Sequence, residues 1–351
     1  MSLLVRGGAV LVGTALHAEV DVLVRDGVVV ELGPALGTPD LEAAVVSPGF
    51  VDLHVHALDG CGFLGEPDLV GLSTALVRRG VTSFLATTIT ASPAALLEAV
   101  SVVAAGGGPA RCLGVHLEGP WLSPVRAGAQ PPEHLRLPSV TELAALVEAG
   151  PVRVVTLAPE LEGAAELIEA AVRLGVTVSL GHSDCTFEQA VDALTLGALH
   201  VTHCFNAMSG FHHREPGLVG AALDLPLTVE VIADGVHVHP SAVRSLIAAA
   251  TRDRVCVISD AVDAGPPGAG PVRLPDGTLA GTRGGVDAGV RNLVSWGVPL
   301  EDALVMASVT PLAALGLHGG LSAGGAADLV LLSSSLDVEA TVVGGEVVWT
   351  P

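Results

Sequence analysis

From residue 50 to residue 259, short apolar runs alternate with longer stretches of helical period, and few folds accept that rhythm. Runs rich in Val, Leu and Ile predict strands over 50–55, 82–88, 111–117, 152–157, 176–181, 199–203, 228–233 and 255–259. Helices are predicted between them, over 67–79, 93–105, 139–149, 161–174, 186–196 and 240–251. Gly80, Gly150, Gly175 and Gly197 follow four of these helices, where a C-terminal cap favours glycine. Eight strands alternating with helices predict an α/β chain folded as a (β/α)8 TIM-type barrel. An open doubly wound sheet is the alternative, but no glycine-rich dinucleotide fingerprint follows an early strand.

The two ends follow another pattern. Leu3–Val5, Ala9–Val12, Val20–Val24 and Val28–Leu32 read as strands, with Asp26–Gly27 as a hairpin turn. Asp328–Leu332, Ala340–Val343 and Glu346–Trp349 read alike, around Gly344–Gly345. These ends predict one small β-sandwich domain made of residues 1–47 and 319–351, around a barrel of residues 48–318.

Half of the 351 residues are apolar, which is ample for a large core. A net charge of −21 argues against nucleic acid and anionic membrane, both of which call for basic patches. The longest charge-free run, Gly80 to Leu97, carries Thr82, Thr87, Thr88, Thr90 and Pro93, so it makes a poor membrane span. The N-terminus lacks the charged and apolar regions of a leader. Five cysteines without C-x-x-C spacing read as reduced thiols, so a cytoplasmic protein is expected. There is no lysine at all; the sixteen basic residues are arginines. That excludes a Schiff-base lysine, a phosphate-loop lysine and a carboxylated lysine bridging two metals.

A barrel enzyme places its chemistry at the C-terminal ends of its strands. Strand one ends in His54 and His56, two apart and therefore on one side of the strand. The later strand ends bring His116–Leu117–Glu118, Gly181–His182–Ser183, Thr202–His203–Cys204–Phe205–Asn206, Asp234–Gly235–Val236–His237 and Ser259–Asp260. A lone histidine there is ordinarily a hydrogen-bonded surface residue. Polar residues at six strand ends make a nitrogen- and oxygen-rich pocket suited to Zn²⁺ or Fe²⁺.

Glu118, His182 and His203 make a three-ligand set with room for water; His54 and His56 can hold a second ion, with Glu118 as the shared carboxylate. Asp260 is the candidate to take a proton from metal-activated water and return it to a leaving group. Hydrolysis of an amide or related C–N bond is the expected reaction. Arg214, with His212, His213 and His237, forms a cationic fringe; Arg214 either pairs with Glu215 or contacts a substrate anion.

With these motifs stand Pro48–Gly49–Phe50–Val51–Asp52, Ala207–Met208, His213–Arg214–Glu215–Pro216–Gly217, Leu279–Ala280–Gly281 and Gly325–Ala326–Ala327–Asp328–Leu329. Together they resemble N-acetylglucosamine-6-phosphate deacetylases, of the amidohydrolase superfamily, over nearly the whole chain. The resemblance implies that Glu118, His182 and His203 hold the main metal and that Asp260 is general base and acid. It implies substrate contacts from Asn206, Ala207 and His237, and from the Gly128–Ala129–Gln130 segment, where the family usually has histidine at the position of Gln130. It also implies that Arg214 reaches the sugar phosphate of a neighbouring subunit in a homodimer. His54 and His56 are similar to the pair in two-metal members, so one or two ions per subunit are expected. The implied reaction is deacetylation of N-acetylglucosamine 6-phosphate. An amidohydrolase for another N-acyl amino sugar, such as the galactosamine isomer, or for a cyclic amide is the alternative, and a non-catalytic sugar-phosphate-binding barrel a third reading.

Overall fold

The structure is a computed structural model that describes residues 2–63, 67–262 and 271–351. Eight parallel strands, Phe50–Val55, Val81–Thr88, Arg111–Glu118, Val152–Leu157, Thr177–Leu180, His200–Val201, Thr228–Ile232 and Val255–Ile258, form one sheet in chain order. The first and eighth strands meet through the Asp260 N–H, which donates to the His54 carbonyl at 2.9 Å, and the His56 N–H, which donates to the Ala261 carbonyl at 2.9 Å. Beneath that seam Asp52 Oδ1 accepts the backbone N–H groups of His54 and Ser259. The sheet is therefore a nearly closed barrel, as its alternation with helices predicts.

Five of the nine described α-helices begin where a side chain caps them: Asp68, Ser92, Ser139, Thr186 and His239 each accept a backbone N–H of the first turn. Gly80, Gly175 and Gly197 take the left-handed backbone expected after a helix. Gly150 is extended instead, and a Cβ there would stand 2.6 Å from the Val100 carbonyl oxygen, so close approach rather than capping requires its glycine. Three further helices, Gly217–Asp224, Val286–Ser295 and Leu300–Ala314, lie where the sequence predicts none.

Residues from both ends build a separate seven-stranded sheet, in the order Glu346–Trp349, Val338–Val343, Leu329–Leu332, Leu41–Pro48, Ser2–Val12, Ala15–Arg25 and Val28–Gly33. Ser2–Val12 is one strand rather than two. Gly7 and Gly8 let it run close beside Leu41–Pro48, where a Cβ on Gly8 would stand 3.0 Å from the Ala44 carbonyl oxygen. This sheet has its own core of Val5, Val10, Val22, Val46, Leu329 and Val342. The main core lies between the barrel and its helices. Among the described residues no helix is long and apolar enough to cross a membrane.

Candidate metal centre

The barrel mouth encloses a cavity of about 510 Å³. His56, Glu118, Ala129, Gln130, His182, His203, Asn206, Ala207, His237 and Asp260 line it. His54 lies just beneath, fully buried. Arg214 stands outside the cavity wall, exposed, with its guanidinium 2.8 Å from His213 Nε2.

Two donor groups meet at Glu118. Its Oε1 lies 3.0 Å from His182 Nε2 and 2.9 Å from His203 Nε2, and those two ring nitrogens are 3.1 Å apart. Two ligand atoms of tetrahedral zinc at its usual bond lengths sit about 3.3 Å apart. Two bare imidazole nitrogens 3.1 Å apart repel unless a proton or cation lies beside them, and with the carboxylate oxygen they make a donor set that fits a metal ion. On the other side His54 Nε2 and His56 Nε2 are 3.2 Å apart, and Asp260 Oδ1 lies 3.5 and 3.4 Å from them. Glu118 faces this pair too, through Oε1 to His54 and Oε2 to His56, each at 3.4 Å. It is the carboxylate shared by both groups.

Backbone geometry turns the ligands inward. Eleven non-glycine residues among those described have positive φ, and five belong to this site: His182, His203, Phe205, Ala207 and Asp260. Such conformations are costly for residues with a Cβ and cluster where surrounding structure enforces them. Here the Ser183 N–H donates to the Ala207 carbonyl and the Ser123 N–H to the His182 carbonyl, which lock the two loops together. At φ +26° His203 also ends the sixth strand at Val201, short of the predicted 203.

The electrostatics match a cation site. The cluster's carboxylates keep protons on the His54–His56 pair. Burial alone would lower His54, but Glu118 and Asp260 outweigh it and hold it well above its usual value; His56 is raised to about 9 in the same way. Burial would raise Glu118, yet the facing His54 and His182 hold it well below the usual carboxylate range.

Gln130 lines the cavity as expected for a substrate contact, and its side chain also makes two hydrogen bonds. Its side-chain carbonyl accepts the Thr90 N–H at 2.7 Å, and its amide donates to Glu118 Oε2. Both ends of the side chain are engaged, so Gln130 holds the carboxylate of Glu118 in place. Asn206 donates to the His203 and Cys204 carbonyls, which fixes its amide at the cavity wall. His237 Nδ1 is 2.7 Å from Asp234, and its Nε2 is buried with no hydrogen-bond partner in the structure.

Three buried polar residues below the cavity have no role in the sequence reading. Glu230 lies between His54 and His200. His116 closes a third group of possible ligands with His54 and Glu230. Its two ring nitrogens are already engaged, by the Leu53 carbonyl and the Thr156 hydroxyl, and burial lowers it to about 3, so it is a neutral core histidine. The signal for Glu230 was available: it is the one charged residue in the apolar run Thr228–Ile232.

Residues 45–348 match the model of the amidohydrolase family. N-acetylgalactosamine-6-phosphate deacetylase of Escherichia coli O157:H7 is 38% identical, over 92% of this chain and 93% of that protein. N-acetylglucosamine-6-phosphate deacetylase of Homo sapiens is 39% identical, over 88% of this chain and 85% of that protein. Among solved structures, a mutant of N-acetyl-D-glucosamine-6-phosphate deacetylase from Mycobacterium smegmatis, in complex with N-acetyl-D-glucosamine-6-phosphate, is 36% identical. It superposes with a TM-score of 0.92, covering 99% of this chain and all of that one. Barrel, donor groups and likenesses agree: the chain belongs to the amidohydrolase family, among its N-acetylglucosamine-6-phosphate deacetylases.

Proposed function

We propose that this chain hydrolyses the N-acetyl amide of N-acetylglucosamine 6-phosphate, giving acetate and glucosamine 6-phosphate. The observation that carries the reading is the convergence of Glu118, His182 and His203 with Asp260 in one cavity, in a chain whose relatives are named for this reaction. Glu118, His182 and His203 would hold one divalent ion; His54, His56 and Asp260 would hold a second. Imidazole and carboxylate donors favour zinc or iron. Once bound, such an ion acidifies water and polarises a carbonyl oxygen.

The side chains supply the rest. Asp260 takes a proton from the attacking water and returns it to the amide nitrogen as the C–N bond breaks. His237, oriented through Nδ1 by Asp234, aims Nε2 at the substrate. Ala129, Asn206 and Ala207 form the wall that positions the sugar, and Gln130 acts through Glu118. Arg214, exposed and outside its own cavity, reaches the phosphate in a neighbouring subunit of a homodimer. The odd number of cysteines and their spacing favour a cytoplasmic setting.

The galactosamine isomer is a second reading, favoured by the 38% identity to the Escherichia coli O157:H7 relative. The deciding experiment follows acetate release by metal-replete protein from N-acetylglucosamine 6-phosphate, its galactosamine isomer and unphosphorylated N-acetylglucosamine. The glucosamine phosphate should turn over fastest and the unphosphorylated sugar least. No turnover of any N-acetyl sugar would sink the reading. Faster turnover of the galactosamine isomer would replace the substrate, and indifference to the phosphate would remove the role of Arg214.

A further inference from the structure

Glu230 sits on the seventh barrel strand with its carboxylate fully buried beneath the cavity floor. It lines no part of the cavity, and nothing in the proposed reaction uses it. A carboxylate in a barrel interior is retained only where it is paired and hydrogen-bonded. Glu230 Oε2 lies 3.1 Å from His54 Nδ1 and accepts the His203 N–H at 3.3 Å; Oε1 lies 3.2 Å from His200 Nε2. His200 meets the oxygen that faces away from His54.

The other ligand histidines are backed differently. His56 Nδ1 lies 3.2 Å from the Thr87 carbonyl and His182 Nδ1 3.0 Å from the Arg126 carbonyl, both neutral peptide groups. His203 Nδ1 is buried without a hydrogen-bond partner in the structure. Among these four, only His54 faces a carboxylate through Nδ1. Once an ion displaces the proton on Nε2, that arrangement keeps the remaining ring proton on Nδ1, turns Nε2 toward His56, Glu118 and Asp260, and strengthens it as a ligand. From this geometry we infer that Glu230 is a positioning residue that commits His54 to the second ion, so that occupancy of the His54–His56 side depends on a carboxylate outside the cavity. The inference rests on the two-ion reading proposed above.

Metal-stripped protein titrated with Zn²⁺, read by calorimetry and by bound-metal counting, tests it. His54→Gln marks which binding event belongs to the second ion. Glu230→Gln removes the charge but keeps an acceptor, and should weaken that event about tenfold; Glu230→Leu removes the acceptor too and should weaken it about a hundredfold. Binding at Glu118, His182 and His203 should stay within about threefold in both variants, because Glu230 meets that set only through the His203 backbone N–H, at 3.3 Å, and touches none of its ring nitrogens. His200→Asn, which disturbs the same buried network without touching His54, should keep both ions, and circular dichroism of each stripped variant checks the fold. Two ions bound with unchanged affinity in Glu230→Leu would overturn the inference. So would equal weakening of both ions, or the same loss in His200→Asn, because Glu230 would then be a general structural residue. A wild-type protein that saturates with one ion would instead overturn the two-ion reading itself, before any variant is compared.

Discussion

The two halves of the candidate metal centre are built in opposite ways. His54 lies on the first barrel strand and His56 one residue past its end, and their spacing of two residues turns both imidazoles to the same side. Glu118, His182 and His203 come from the ends of three strands, and two of them reach the cavity only because their backbones turn left-handed, at φ +46° and +26°. The strand pair needs nothing beyond the barrel. The three-strand set depends on the loops after strands five and six and on the contact of Ser183 with Ala207 that ties them. Left-handed backbone therefore falls on the groups that must leave the strand direction, His182 and His203 in one half and Asp260 in the other. Glu118 joins the halves, since its two oxygens face both.

The largest expected effect tests whether the halves separate. Asp260 stands on the side of the strand pair, 3.4–3.5 Å from His54 and His56. Asp260→Asn should lower kcat by ~10²–10⁴-fold, the range for a lost proton-transfer group. It should leave the ion at Glu118, His182 and His203 in place, as counted in the purified variant. Turnover close to wild type would remove Asp260 from proton transfer. Loss of all metal would show that the halves are one unit.

A smaller effect tests the junction. Gln130 bridges the Thr90 N–H to Glu118 Oε2, so it fixes the rotation of the shared carboxylate. Gln130→Ala should weaken both ions about tenfold, near the lower end of the range for lost outer hydrogen bonds to ligands. Calorimetric titration of the stripped variant checks this. Weakening of one ion alone would mean that Glu118 serves only that half.

How much of this was legible in the sequence follows the same division. The barrel strands were readable to within a few residues because each is a buried, nearly continuous apolar run. The His54–His56 pair was readable because its spacing is local. Helices Gly217–Asp224, Val286–Ser295 and Leu300–Ala314 were not, and all three begin without a side-chain cap. Gly217–Asp224 is buried over most of its length, and Leu300–Ala314 carries Pro311 inside it, so neither shows a clear polar face or an unbroken helical sequence. The left-handed turns at His182 and His203 left no residue signal, since the glycine that would announce them is absent. The roles of Gln130 and Glu230 are non-local. Gln130 meets Glu118 through a loop, and Glu230 meets His54 across the barrel, 176 positions away in the chain.

The last expected effect is a pH dependence carried by the strand pair. In ion-free protein, burial alone would lower His56, but its bonds with Asp260 and Glu118 raise it to about 9. The charged ring therefore stabilises the ion-free fold fully below the ordinary histidine value of about 6.5, and that contribution is lost as pH rises through about 9. Metal binding has the opposite sign, because an ion must displace the proton. Affinity of the second ion should climb by about tenfold per pH unit for each proton displaced, then level near pH ~9. Zinc titrations of stripped wild-type protein between pH ~6.5 and ~8.5, in two buffers of different ionisation enthalpy, measure both the slope and the protons released. His54→Gln, which disables the pair, should lose the slope assigned to the second ion. A wild-type affinity flat across that window would mean that the pair carries no proton for the metal to displace, and the contrast between the halves would then rest on backbone geometry alone.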